Sequence, residues 1–258
     1  MHIVHRSSGG YVLRAFPART IWLALTAGLM GLTLWLIFIW VPTESNLGEV
    51  QRALYFHVPV AILALGAIVL VAIGSVGFLI TNRPRWDWFA HASAETGVVV
   101  GALALITGSI WARPIWNVWW TWDAKLTTTL ILWFIFIGYL MLRAYAPPGR
   151  QGARLAAILG VIGAIDAPII YYAADLWRTA HPGRVTGPGA DGSLESEMLL
   201  TLLVSSIAVF SAFAYMLVER YRVRKSEADV IELGRRIQMA HSEVSGPATG
   251  ALKAMSKG

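Results

Sequence analysis

The sequence predicts an all-α integral membrane protein with six transmembrane helices and with both termini in the cytoplasm. Three observations lead to this fold class. Hydrophobic residues make up 56% of the 258 residues and charged residues only 14%, so the chain is too apolar for an ordinary soluble domain. Six apolar stretches are long enough to cross a bilayer. Lysine and arginine are distributed unevenly among the segments between these stretches.

A helix needs roughly 20 apolar residues to cross a hydrocarbon core of about 30 Å. Each of the six stretches has this length, and none shows the alternation of polar and apolar residues that is typical of strands in an outer-membrane barrel. We therefore predict transmembrane helices near residues 21–41, 58–80, 92–112, 126–146, 155–174 and 197–218.

The chain before the first predicted helix carries Arg6, Arg14 and Arg19 and resembles the basic start of a signal peptide. The apolar run that follows is too long for a signal peptide, and no small-residue cleavage site comes after it. We expect this run to remain as a membrane anchor. The predicted organisation is an N-terminal tail of residues 1–20 followed by a six-helix membrane domain of residues 21–218.

Residues 219–258 form the predicted C-terminal tail. Between residues 220 and 240, many charged side chains accompany one stripe of apolar side chains. This pattern favours an amphipathic helix that lies on the membrane or on a partner. Residues 242–258 are rich in glycine, serine and alanine, so we expect them to be disordered.

The distribution of lysine and arginine predicts the orientation. The two tails and the connections at 81–91 and 143–154 contain 16 of these residues, whereas the loops at 42–57, 113–125 and 175–196 contain five. Basic residues are enriched in cytoplasmic segments, so the first group is predicted to face the cytoplasm. Topology and contact with anionic lipid then account for the net charge of +6, and a nucleic-acid partner is not needed.

Tryptophan is concentrated around the connection between the third and fourth predicted helices, within the predicted loop 111–125. Tryptophan buries a wide, flat apolar face and keeps one N–H donor. An aromatic belt at the membrane interface also contains tryptophan, but it scatters these residues among the helix ends. We interpret the loop as a platform for a large, flat, apolar ligand. Five of the twelve tryptophans lie here, namely Trp111, Trp116, Trp119, Trp120 and Trp122.

Asp123 follows the last of these tryptophans and directly precedes the fourth predicted helix. An aspartate at this position can belong to the ligand platform. It can also cap the exposed N–H groups at the start of the helix and favour the positive end of the helix dipole.

Two histidines are predicted to face outward, on either side of the tryptophan-rich loop in the sequence. His57 precedes Pro59 at the start of the second predicted helix, where proline suits the first turn, and His181 follows the fifth predicted helix. Two neutral imidazoles beside an aromatic wall would suit a bis-histidine site for haem iron. Zinc is the competing metal, but zinc normally needs three or four closely spaced ligands.

Two acidic residues fall inside predicted helices, Glu95 in the third and Asp166 in the fifth. An ionised carboxylate within a bilayer costs about 2.5 to 3.5 kcal/mol even on a lenient scale, so each should face a partner or a polar cavity. Asp166 precedes Pro168, which can kink the fifth helix. A neutral Asp166 hydrogen-bonded to another helix is an alternative to a ligand role.

The outward loops also carry the cations that could bind acidic groups of a ligand. Arginine can hold a carboxylate with two parallel hydrogen bonds, as the propionates of haem would require. Contact with lipid headgroups explains these cations equally well. They are Arg52, Arg113, Lys125, Arg178 and Arg184.

Residues 116–123 read Trp-Asn-Val-Trp-Trp-Thr-Trp-Asp and resemble the WWD signature of bacterial haem-handling proteins, W-G-x-x-W-x-W-D. With six predicted helices, a histidine before the second and a Trp-x-Thr-x-His segment after the fifth, the chain resembles the cytochrome c maturation protein C family, also called haem exporter protein C. The resemblance runs from Trp22 to Val218. Asn117 stands where the family generally has glycine, and asparagine is the next most tolerant residue in a left-handed backbone.

The resemblance implies a multi-pass protein of the bacterial inner membrane that binds b-type haem without a covalent bond at its periplasmic face. His57 and His181 would be the axial ligands. The implied partners are a membrane-anchored periplasmic haem chaperone, the ATPase and membrane subunits of an ATP-binding cassette (ABC) transporter and a small single-span subunit. The chain lacks the phosphate loop G-x-x-x-x-G-K-[S/T], so ATP hydrolysis would belong to a partner. The other implied haem-contacting residues are Trp111, Trp116, Trp119, Trp120, Trp122, Asp123, Arg178 and Arg184.

Two other functions are compatible with these residues. A membrane transport subunit would use Glu95 and Asp166 along a pathway between helices. A redox subunit would carry haem b within the membrane, but its ligand histidines should lie inside the helices, whereas His57 and His181 are predicted outside them.

Overall fold

The computed structural model describes residues 9–147, 149–177 and 194–255, with side chains described from residue 18 to residue 241 except for 148, 174 and 178–193. Six helical segments are long and apolar enough to cross a membrane, as predicted. The fifth consists of two shorter helices. The helices are Gly9–Trp35 (α1), Leu54–Thr81 (α2), Pro84–Trp116 (α3), Ala124–Tyr145 (α4), Arg150–Gly163 (α5), Asp166–Trp177 (α6) and Ser196–Met255 (α7).

Helices α2 and α3 form the most extensive contact of the bundle and are joined by a two-residue turn. Asn82 ends α2 in the left-handed conformation, with φ 53°, and donates its N–H to the carbonyl of Phe78 at 2.8 Å. Pro84 starts α3 at a position where a helix needs no N–H donor. Small residues bring the two helices close together, since a Cβ atom on Gly74 would lie only 2.9 Å from that of Ala90.

Helix α7 packs against α1, α2 and α3. Ser211 on α7 accepts a hydrogen bond from the indole N–H of Trp22 at 3.1 Å and shares one with Thr26 at 2.7 Å. Near the start of the first span, Arg19 forms an ion pair with Glu219. The start of the first membrane segment and the end of the last one therefore lie at the same end of the bundle. An even number of crossings places the two on the same side of a membrane.

The fifth span is broken at Ala164 and Ile165, between α5 and α6. The break lies four residues before Pro168, whose ring clashes with the carbonyl of the residue four positions earlier and whose nitrogen cannot donate to it. The helix is thus interrupted near Pro168, the residue at which the sequence analysis allows a kink. Asp166 begins α6 and is 8% exposed, but among the described residues its Oδ2 atom has no hydrogen-bond partner, so the expected partner of this atom is not found there.

Glu95 does have the partner that the sequence analysis requires. Arg220 on α7 donates to its carboxylate from Nη2 at 2.6 Å and from Nε at 2.8 Å. Arg224, one turn further along α7, contacts the same carboxylate, and Asp87 pairs with Arg143 at 3.0 Å nearby on the α3–α4 interface. These ion pairs connect α3 to its neighbours near the start of α3, at the end of the bundle opposite Trp111 and Trp116.

Helix α7 differs from the predicted organisation at its C-terminal end. It continues without a break to Met255, so the backbone of 242–255 is helical where the sequence analysis predicts disorder. Extending an existing helix avoids the cost of nucleating a new one. The amphipathic helix predicted for 220–240 is part of the same long helix.

Candidate functional site

A cavity with a volume of about 730 Å³ lies between α2, α3, α4 and α6. Cofactor pockets commonly have volumes of about 300 to 1,000 Å³. The lining is mainly apolar and extends along α2 from His57 to Val69, a distance of roughly 18 Å at 1.5 Å per helical residue. The cavity therefore has the depth and the apolar walls to accept a large hydrophobic molecule between the helices.

His57 lies on the wall of this cavity. It is the fourth residue of α2, because a 3₁₀ turn at Glu49–Ala53 runs directly into the helix. The prediction that His57 lies in the preceding loop is therefore wrong, and Pro59 lies beyond the first helical turn. The redox alternative was disfavoured because both histidines were predicted outside the helices. For His57 that objection no longer applies, because His57 lies inside α2.

The imidazole of His57 is held against α3. Its Nδ1 atom lies 3.0 Å from the hydroxyl oxygen of Thr107, and its ring centroid lies 5.7 Å from that of Trp111, with the planes inclined by 51°. A Cβ atom on Gly108 would come within 3.0 Å of the imidazole Cε1 atom. The absence of a side chain at Gly108 thus lets the ring approach the helix backbone.

The five tryptophans of the predicted loop 111–125 divide into two groups. Trp111 and Trp116, the cavity tryptophans, lie on α3 and line the cavity. The predicted loop location is therefore wrong for Trp116, whereas Trp111 lies in the third helix, whose predicted range of 92–112 overlapped the predicted loop. Trp119, Trp120 and Trp122, the rim tryptophans, lie on the connection between α3 and α4, as predicted. Trp119 is 60% exposed and Trp122 is 76% exposed, and none of the three belongs to the described lining of the cavity.

Asn117 separates the two groups. It ends α3 with φ 58° and ψ 21°, in the left-handed region, the conformation in which asparagine is the most tolerant residue after glycine. Arg113 donates a hydrogen bond to the side-chain oxygen of Asn117. The chain therefore reverses direction directly after Trp116 and leads the rim tryptophans over the end of the bundle.

Asp123 caps α4, as one of the two predicted roles requires. Its carboxylate accepts a hydrogen bond from the backbone N–H of Leu126 at 3.0 Å and another from the Thr121 hydroxyl at 2.7 Å. Asp123, Thr121 and Lys125 also line the cavity. The cap thus places the Asp123 carboxylate at the cavity. Capping α4 and contributing to the ligand site are therefore compatible roles for Asp123.

Several site residues were not selected from the sequence. Thr107 contacts His57, and Tyr171 and Tyr172 of α6 line the cavity and meet each other edge to face with ring centroids 4.9 Å apart. No local pattern distinguishes these residues from other polar residues of membrane helices. Lys125 was noted only as one of five outward cations.

The structure does not bring every predicted residue to the cavity. His181, Arg178 and Arg184 lie outside the described residues, so the second axial ligand and the two arginines remain predictions. Arg52 contacts Glu49 and the carbonyl of Ile37. The transport alternative loses support because neither Glu95 nor Asp166 is part of the described cavity lining. Among the residues with a described structure, no group of three or more His, Asp and Glu side chains could hold a metal ion.

The arrangement suits a specific class of ligand. An imidazole at the wall can coordinate a metal within a flat macrocycle, and apolar helices and indoles can contact the faces of the macrocycle. Lys125, also in the lining, supplies a cation for acidic groups. The residues present therefore fit a haem-like molecule bound through one described histidine.

Comparison with known proteins gives a consistent result. The family model described as Heme exporter protein C matches residues 8–234. Heme exporter protein C of Bradyrhizobium diazoefficiens is 35% identical over 209 residues, which cover 80% of this chain and 79% of the relative. The corresponding protein of Escherichia coli K12 is 34% identical over 163 residues, or 63% and 66% of the two chains.

A mitochondrial relative is also similar. The putative cytochrome c biosynthesis ccmC-like mitochondrial protein of Marchantia polymorpha is 33% identical over 179 residues, which cover 69% of this chain and 74% of the relative.

Proposed function

Because the chain belongs to the Heme exporter protein C family, whose role is haem handling in cytochrome c biogenesis, we propose that it binds haem in the cavity between α2, α3, α4 and α6 and presents it to a membrane-anchored haem chaperone. The observation that carries this proposal is the position of His57, which lies on the wall of an apolar cavity beside Trp111. His181 is the proposed second axial ligand.

The proposed orientation follows the charge distribution. The end of the bundle with the rim tryptophans faces the periplasm of a bacterial inner membrane, and both termini face the cytoplasm. The ion pairs of Glu95 then lie near the cytoplasmic side. The high exposure of Trp119 and Trp122 suits a membrane–water interface, but indoles are enriched at both interfaces, so the proposed orientation rests on the charge distribution.

The two groups of tryptophans have different proposed tasks. The cavity tryptophans contact the bound porphyrin from α3, whereas the rim tryptophans form the surface that meets the incoming chaperone. Holding two reactants in a productive geometry can lower a barrier by about 7 to 11 kcal/mol without an acid or a base. The protein would supply position and electrostatics, and the bond to the chaperone would form at the haem edge.

The other proposed partners are the ATPase and membrane subunits of an ABC transporter and a small single-span subunit. The sequence has no phosphate loop, so a partner would hydrolyse ATP. We assign the energy of ATP hydrolysis to the release of the haem-loaded chaperone.

An absorption spectrum of the purified protein tests the proposal. His57→Ala and His181→Ala should each insert normally but change the Soret band and reduce haem retention, because loss of one axial ligand leaves the iron with a weaker or a water-filled site. His241→Ala is the control, since His241 lies on the far part of α7. Unchanged spectra and retention in both test variants would overturn the assignment of the ligands.

A further inference from the structure

Thr107 makes two short contacts that together determine where the proton of His57 lies. Its hydroxyl oxygen is 2.7 Å from the carbonyl oxygen of Leu103, one turn earlier on α3, and 3.0 Å from Nδ1 of His57. A threonine hydroxyl has one hydrogen, and a carbonyl can only accept. Both contacts are satisfied together only when Thr107 donates to Leu103 and His57 donates from Nδ1 to Thr107.

This arrangement selects one of the two neutral forms of the imidazole. With the proton on Nδ1, the lone pair that can coordinate a metal is on Nε2. Two contacts that do not involve Thr107 also hold the imidazole ring of His57. Gly108 lets the Cε1 edge of the ring approach α3, and the indole of Trp111, one turn later on α3, lies beside the ring. Three positions of α3 therefore contact the ring, and one of them, Thr107, accounts for a proton on Nδ1.

We propose that Thr107 is a positioning residue that holds His57 in the Nδ1–H form, which would make Nε2 the nitrogen that coordinates the iron of bound haem. This inference rests on the proposed function for its ligand. Thr107 is not part of the described cavity lining, so it acts through His57 and does not contact the ligand itself.

The type of partner has a chemical consequence. Metal-binding histidines usually donate the other ring N–H to a carboxylate, a backbone carbonyl or water. A neutral hydroxyl draws the Nδ1 proton less strongly than a carboxylate would, so it orients His57 and increases the basicity of Nε2 only modestly. A histidine ligand of this kind suits haem that is transferred to another protein. The bond from His57 to the iron would have a defined direction but only moderate strength.

The test uses the full-length protein in detergent, with histidine labelled with ¹⁵N in the imidazole ring. Thr107→Val removes the hydroxyl and keeps the shape, and Thr107→Ser keeps the hydroxyl. Thr96→Val is the matched control, because Thr96 is a buried threonine of the same helix whose hydroxyl also donates to the carbonyl four residues earlier, at 3.0 Å. The resonances of His57 are assigned by their loss in His57→Ala. Nitrogen chemical shifts report the tautomer without haem, and titration with haemin reports affinity.

We expect the Nδ1–H form in the original protein, in Thr107→Ser and in Thr96→Val. In Thr107→Val, a substantial population should carry the proton on Nε2, and haemin affinity should fall by about 10- to 100-fold, the usual effect of losing the partner of a ligating histidine. An Nε2–H form of His57 in the original protein would overturn the proposal even if Thr107→Val does not fold.

Two further outcomes separate the positioning of His57 from the function of the site. If Thr107→Val keeps the Nδ1–H form and the original affinity while His57→Ala loses haemin, the positioning role is wrong and the haem site stands. If the tautomer depends on Thr107 but His57→Ala binds haemin normally, the tautomer assignment stands and the haem-ligand role of His57 is wrong.

Discussion

Glu95 of α3 and Arg220 of α7 form a two-point ion pair across 125 residues of sequence, with N–O distances of 2.6 and 2.8 Å. Arg224 contacts the same carboxylate. Glu95 is thus part of the packing between helices, at the end of the bundle away from His57. Its location favours a structural role over a place on a transport pathway.

Glu95→Ala should therefore reduce stability and leave haem binding intact at equal protein levels. Breaking a fully buried pair costs about 3 to 5 kcal/mol, but Arg220 is 40% exposed, and solvent screening lowers the expected loss to about 2 kcal/mol. The measurement is the apparent melting temperature in detergent. Glu232→Ala is the control, since Glu232 pairs with Arg235 on the exposed part of α7 and should change stability little. Loss of haem binding in folded Glu95→Ala would favour the pathway role.

Asp123 offers a test that separates capping from charge. Asparagine caps a helix nearly as well as aspartate, whereas alanine loses about 1 kcal/mol. If capping is the main role, Asp123→Asn should retain both stability and chaperone loading, and Asp123→Ala should lower the melting temperature by about 2 to 4 °C. Normal stability of Asp123→Asn combined with poor loading would instead show that the negative charge orients the chaperone or the haem edge.

The left-handed conformation of Asn117, with φ 58°, predicts a strong dependence on residue type. Asn117→Gly should be tolerated, because glycine adopts this conformation freely. Asn117→Val should cost about 1 to 2 kcal/mol or more and misplace the rim tryptophans. Thermal stability and haemin binding are measured together. Ile110→Ala is the control, since Ile110 is an exposed residue of α3 outside both the left-handed position and the described cavity lining. Equal stability of the glycine and valine variants would contradict this account of the turn.

Replacing Trp119, Trp120 and Trp122 together with alanine should abolish presentation of haem to the chaperone. Insertion and association with the transporter subunits should be normal, because these residues lie on the connection between α3 and α4 and not in a membrane-spanning helix. The readout is covalent haem on the chaperone, compared with the membrane level of this protein. Normal loading by the triple variant would mean that the rim tryptophans are an interfacial belt.

Topology is tested with reporter fusions. Reporters after Arg150 and Met239 should report the cytoplasm, whereas insertions near Asn117 and Gly189 should report the periplasm, because basic residues are enriched on the first side. A periplasmic signal at Met239 would be incompatible with the proposed six-span orientation.

Much of the fold was predictable because it depends on local physics and on the bilayer. Helix length follows from bilayer thickness, the break before Asp166 follows from Pro168, and the start of α4 follows from a capping aspartate. Boundaries were less predictable. The 3₁₀ turn before α2 places His57 inside the helix, and α3 continues to Trp116. Hydropathy marks only the apolar run, and both helices extend beyond it into more polar residues.

The sequence by itself predicted the six apolar helical segments, the tryptophan-rich connection, a cap as one of two roles for Asp123, and a left-handed backbone at Asn117. Each of these depends on residues that are close together in the chain. Only the tertiary structure decided that Trp111 and Trp116 line a cavity while the other three tryptophans do not, that Thr107 contacts His57, and that Glu95 pairs with Arg220. These relationships depend on the rotation and depth of each helix against its neighbours. Hydropathy does not encode that packing, because within a bilayer helix association is decided by close contacts and interhelical hydrogen bonds.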